Sequence, residues 1–109
     1  MTWDVEFLPE ADKDLDDLSQ SDRVIVRKAI RKVQQNPLPK SEGGYGKPLG
    51  NKRGLNLTSL LKIKLLKEGI RIVYKLVRTE TKMLVIVVGI REDEEVYGIA
   101  QRRKVKYDL

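Results

Sequence analysis

Trp3, Val5 and Phe7 alternate with Asp4 and Glu6. A period of two puts the two sets on opposite sides of an extended backbone, so Thr2–Leu8 predicts a half-buried strand. The period then lengthens. Leu8, Ala11, Leu15 and Leu18 share one helical face, with aspartates on the others. Pro9 suits the first helical turn, where its missing N–H has no partner to lose. Ser19–Asp22 interrupts the pattern, and Ser21 or Asp22 is a candidate cap for a second helix. Its stripe is Val26, Ala29, Ile30 and Val33, and Asn36-Pro37 ends it, because a residue before proline is pushed out of the helical region. Pro37–Leu57 then lacks either period and carries four glycines and three prolines before Gly54. It predicts one long loop, of a length that is often functional.

Alternation returns at Leu60–Leu66, with Leu61, Ile63 and Leu65 inward and Lys62 and Lys64 outward. Glu68-Gly69 predicts a tight two-residue turn into a strand over Ile70–Val77. That turn would set Lys64 opposite Val73 and Leu66 opposite Arg71, leaving Lys62, Lys64 and Arg71 on one face. A three-residue loop would send Arg71 to the other face. Met83–Ile90 is apolar without alternation, as a strand covered on both sides would be. Glu92–Glu95 begins a last helix with Val96, Ile99 and Ala100 inward and Arg102, Arg103 and Lys104 in its final turn, leaving Val105–Leu109 as a tail. Strand, helical hairpin, three-stranded antiparallel meander and short C-terminal helix make an α+β fold. It is expected to be one mainly antiparallel sheet with helices on one face, a single domain over residues 1–109.

Composition narrows the chemistry. The 109 residues include neither histidine nor cysteine and carry a net charge of +6, with the positive excess from Lys47 onward. Thiolate metal sites, disulfides and histidine acid–base catalysis are excluded. No stretch has the length of a membrane span and the N-terminus has no leader pattern, so a cytoplasmic protein without cofactor or metal is expected. A basic chain suits a polyanion or an acidic protein partner. Lys62, Lys64, Arg71, Arg91 and Tyr97 are the candidate constellation, and Lys47, Lys52, Arg53 and Lys75 are candidate RNA contacts.

Leu61-Lys62-Ile63-Lys64-Leu65, Gly69-Ile70-Arg71-Ile72-Val73-Tyr74, Val88-Gly89-Ile90-Arg91 and Glu95-Val96-Tyr97 resemble the core of the RelE/ParE superfamily of bacterial toxins. The Trp3–Phe7 strand, the Ala11 and Leu15 helix, Asn36-Pro37 and Pro48-Leu49-Gly50 fit as well. RelE-like members cut mRNA in the ribosomal A site, whereas ParE-like members inhibit DNA gyrase. The basic and aromatic residues retained here resemble the first kind. By that likeness, Lys62 and Lys64 match the paired catalytic lysines and Arg71 the phosphate-stabilising arginine. Arg91 matches the arginine after the last strand, and Tyr97 the C-terminal tyrosine. The resemblance implies the toxin of a type II toxin–antitoxin system, with a cognate antitoxin, the ribosome and mRNA as partners and a hetero-oligomer with the antitoxin. The alternatives are a ParE-like gyrase inhibitor, a non-catalytic basic RNA-binding module, or a ribonuclease that acts on free RNA.

Metal-independent RNA cleavage needs a base for the ribose 2′-hydroxyl, cations for the phosphorane and an acid for the leaving 5′-oxygen. A lysine serves as base only if like-charge crowding lowers its pKa from about 10.4. Lys64 is the expected base, Lys62 a clamp, Arg71 the phosphate ligand, and Arg91 a second clamp or the acid. Tyr97 is expected to stack on a base, orient the hydroxyl or share the proton.

Overall fold

The computed structural model describes residues 3–52, 55–90 and 92–109. In chain order the elements are β1 (Asp4–Phe7), α1 (Pro9–Asp16), α2 (Gln20–Gln34), β2 (Lys47–Lys52), β3 (Leu55–Leu65), β4 (Ile70–Val77), β5 (Lys82–Gly89) and α3 (Asp93–Lys106). They form an α+β fold around one five-stranded sheet of order β1-β5-β4-β3-β2. Four strands make an antiparallel meander, and β1 joins β5 in parallel.

Most of the expected stripes are buried: Leu8, Ala11, Leu15 and Leu18 along α1, and Val26, Ile30 and Val33 along α2, where Ala29 is only half-buried. The cap of α2 is Ser19 rather than Ser21 or Asp22; its hydroxyl accepts the Asp22 N–H at 3.2 Å. Tyr74 lies in the core and donates its hydroxyl to the Pro37 carbonyl at 2.8 Å, tying the segment after α2 to the sheet. Gly46 makes that approach possible, because a β-carbon there would lie 2.5 Å from both the Tyr74 hydroxyl and the Leu61 side chain.

The sheet departs from the sequence-based expectation in three places. The long loop contains strand: β2 pairs with β3, and Lys47 stands opposite Lys62. Pro48 and Gly50 hid this strand, but β2 is an edge, where proline is tolerated. A bulge between Pro48 and Gly50, with Ser59 at φ 73°, breaks alternation so that Leu57, Leu60 and Leu61 are all buried. The β3–β4 connection is also longer than two residues. Leu65 pairs with Ile70 and Lys64 with Arg71, so Leu66–Gly69 all lie in the turn, with Gly69 at φ 70°. The register is off by two residues, an even number, and Arg71 stays on the lysine face. Finally, the C-terminal segment is not a tail. The helix runs to Lys106, and Tyr107 and Leu109 pack against the core.

α3 crosses the sheet face that carries Lys62, Lys64 and Arg71 and partly covers it. Its Val96, Tyr97 and Ala100 are buried. Its last turn meets α1 through charge: Arg103 pairs with Asp14 at 2.6 Å and Lys106 with Glu10 at 2.8 Å. Among the described residues no helix is long and apolar enough to cross a membrane.

Candidate active site

The site is built on two adjacent rows of the sheet. In one row Lys47, Lys62 and Val73 stand side by side on β2, β3 and β4; in the next, Lys64, Arg71 and Gly89 do so on β3, β4 and β5. Like charges opposite one another in a sheet repel, so these pairs need solvent or an anion to be tolerated. Gly89 leaves no side chain beside Arg71. The chain exits there and returns over the sheet as α3.

Its first residue brings the anion. The Asp93 carboxylate accepts from Arg71 Nε at 2.6 Å through one oxygen and from Lys64 Nζ at 3.0 Å through the other. Arg71 is held from a second side, donating from Nη1 to the Gly69 carbonyl at 2.8 Å. Partial burial opposes ionisation of Asp93, but the hydrogen bonds from Arg71 and Lys64 outweigh it and keep the carboxyl below its usual value. One turn further along α3, the Tyr97 ring lies 5.9 Å from the Lys62 ammonium. Tyr97 is only 5% exposed, and its hydroxyl is buried without a hydrogen-bond partner among the described residues. Burial, with the nearby Asp93 charge, raises the phenol pKa above its ordinary value. The neutral phenol can therefore donate a hydrogen bond but is a poor base. A buried ring is also not available to stack on a nucleobase in this conformation.

The structure thus brings together Lys62, Lys64, Arg71 and Tyr97. Arg91 lies outside the described residues. Lys47 is exposed next to Lys62. Lys75 shares the Arg71 face but sits four residues further along β4, opposite Leu60 and Leu84. Lys52 is at the end of β2 with its side chain outside the description, and Arg53 is likewise outside. Sequence reasoning missed Asp93, reading the acidic run after Arg91 as a helix start. The available signal was the proximity of that run to a strand exit beside paired cations. Among the described residues no group of three or more acidic, histidine or cysteine side chains is placed to hold a metal ion.

No protein-family profile and no curated protein matches the chain. Solved structures do. A doubly mutated E. coli toxin RelE in the free state is 28% identical, with TM-score 0.72 and full coverage of both chains. The toxin in an intact E. coli RelBE toxin–antitoxin complex is 26% identical with TM-score 0.64, covering 83% of this chain and 98% of that one. A RelBE2 toxin–antitoxin complex from Mycobacterium tuberculosis shares the fold at 21% identity, TM-score 0.67, covering 85% of this chain and 95% of that one. With this fold over its whole length and the Lys62–Lys64–Arg71–Tyr97 cluster on its sheet, the chain belongs to the RelE-like toxin superfamily.

Proposed function

We propose that this chain, as one toxin domain, is the toxin of a type II toxin–antitoxin pair and cleaves mRNA in the ribosomal A site without a metal. The observation that carries this reading is the convergence of Lys62, Lys64, Arg71 and Tyr97 on one sheet face of a RelE-like fold. Such a face offers cations for the pentacoordinate phosphate, where developing negative charge is stabilised best by fixed donors. The 2′-hydroxyl attacks the adjacent phosphorus, its proton passes to a base, and the 5′-oxygen leaves with a proton. A 2′,3′-cyclic phosphate and a 5′-hydroxyl end result.

In this reading Lys64 takes the proton and Lys62 and Arg71 bind the non-bridging oxygens. Arg91 adds a clamp or supplies the leaving-group proton, and Tyr97 orients the attacking hydroxyl with its free O–H. Lys47 and Lys75 extend the charge along the sheet, and Lys52 and Arg53 are further RNA contacts in this reading. The partners are the ribosome, mRNA and an acidic antitoxin, in the cytoplasm where translation occurs. The antitoxin neutralises the toxin by covering the basic face or by displacing α3.

The test is to incubate the protein with programmed ribosomes and map mRNA ends. A-site cuts bearing 5′-hydroxyls are expected, and Arg71→Ala should slow them at least ~100-fold, the loss typical of one transition-state donor. Intact mRNA together with inhibited gyrase supercoiling would overturn the proposal in favour of the ParE-like activity.

A further inference from the structure

We infer that Asp93 is an internal stand-in for the substrate's phosphate, so that the free protein holds its own cation pair closed and RNA binds by expelling this carboxylate. The inference rests on the proposed placement of Arg71 as phosphate ligand with Lys64 as the base beside it, and adds a regulation of that site.

The geometry is that of a competitor. Asp93 spends each oxygen on a different cation, bridging Lys64 on β3 and Arg71 on β4. A phosphodiester offers the same feature, an anion with two terminal oxygens, and in the proposed reading it takes Arg71 and sets its 2′-hydroxyl beside Lys64, the two groups that Asp93 occupies. Two anions cannot share them without bringing like charges into contact, so one must leave. The plug is not sealed in: the side chains of Asp93, Lys64 and Arg71 are 39%, 27% and 20% exposed. Arg71 also keeps its bond to the Gly69 carbonyl when Asp93 departs, so the phosphate ligand stays in position.

The second observation is the Tyr97 hydroxyl, buried without a partner among the described residues, one turn along the same helix. Asp93 is the first residue of α3 and leaves with the first turn. That movement opens space where Tyr97 can reach a ribose or phosphate oxygen. Expulsion of the plug and completion of the site are therefore one event. If the closed form holds about nine-tenths of the free molecules, apparent affinity is reduced about tenfold.

The probe is a fluorescent RNA oligonucleotide methylated at every 2′-hydroxyl, which cannot be cleaved, with binding read by anisotropy at low salt. Asp93→Asn and Asp93→Ser should each bind about tenfold tighter than the native chain. Glu92→Gln removes the same charge from an exposed neighbour and should change affinity less than about twofold. Arg71→Ala should weaken binding and abolish the gain when combined with Asp93→Asn. Equal affinity of the native chain and both Asp93 variants, with Arg71→Ala still weakening binding, overturns the plug while leaving the site intact, whatever happens to cleavage. Gains no larger than that of Glu92→Gln overturn it as well. If Arg71→Ala has no effect in either background, the site itself is wrong and the plug falls with it.

Discussion

A buried hydroxyl with no hydrogen-bond partner is costly to keep, and Tyr97 has none among the described residues. Leaving a buried polar group unsatisfied costs about 1–3 kcal/mol, whereas a phenylalanine in the same volume has no such debit. Tyr97→Phe is therefore expected to leave the melting temperature unchanged or raise it, while slowing the proposed ribosome-dependent cleavage at least ~10-fold by removing a hydrogen-bond donor from the reaction. Thermal denaturation alongside single-turnover cleavage separates the two effects. A variant destabilised by more than about 1 kcal/mol would mean the hydroxyl has a structural partner, and one that cleaves at the native rate would remove Tyr97 from the chemistry. The contrast with Tyr74 sharpens the point. That residue is fully buried, yet its hydroxyl donates to the Pro37 carbonyl, and burial pushes its pKa far up. One tyrosine is satisfied and structural; the other is unsatisfied and beside the cations.

At the scale of elements, the junction of α1, β5 and α3 is closed by side chains doing the work of a strand. β1 pairs with β5 only as far as Val85. Beyond it, the Val88 N–H donates to Asp14 at 3.2 Å and the Ile86 carbonyl accepts from Arg103 at 2.9 Å, while Arg103 grips both Asp14 oxygens. An open sheet edge is thus capped by an ion pair that also fastens α3 to α1, beside a cleft of about 460 Å³. Arg103→Ala strips one partner from a pair whose side chains are 16% and 22% exposed, and is expected to destabilise the fold by about 2–3 kcal/mol. Urea denaturation measures it, and a double-mutant cycle with Asp14→Ala should return a coupling of about 1 kcal/mol or more. Additive losses would show that the pair is decorative.

These elements also explain what could be read in advance. β4, β5 and the part of β3 from Leu60 onward were legible because their alternation, or its absence, reports directly on which faces are covered, whereas Leu55–Ser59 at the start of β3 was not read as strand. The shared face of Lys62, Lys64 and Arg71 was legible despite a wrong register, because parity survives a shift of two. β2 was not legible, because a proline, a glycine and a bulge erase the period of an edge strand. Asp93 was invisible for a different reason: its partners are 29 and 22 residues away in sequence. No local pattern encodes that meeting, which depends on α3 folding back over the sheet.

For the molecule as a whole, the uneven charge of the sequence becomes an internal seam. The acidic face of α1 meets the basic last turn of α3: besides the Asp14–Arg103 pair, Glu10 accepts from Lys106 at 2.8 Å and from the Tyr107 hydroxyl at 2.6 Å. First Lys106 and then Tyr107 hold the Glu10 carboxyl down to about 2, from an unfolded value of 4.5. A depressed acid pKa stabilises the fold fully above the unfolded value, and that contribution drains away as pH falls through the window between 4.5 and about 2. The difference in melting temperature between the native chain and Glu10→Gln should therefore be largest near neutral pH. It should shrink steadily on acidification below 4.5 and vanish near 2. Because the Lys106 side chain is 64% exposed, added salt should shrink the same difference at neutral pH. The hydrogen bond from Tyr107, uncharged until strongly alkaline pH, should preserve part of it. A gap that stays constant from pH 7 to 2 would mean that Glu10 supports α3 by packing rather than by its charge. The charge of the seam would then reside in the Asp14–Arg103 pair rather than in Glu10.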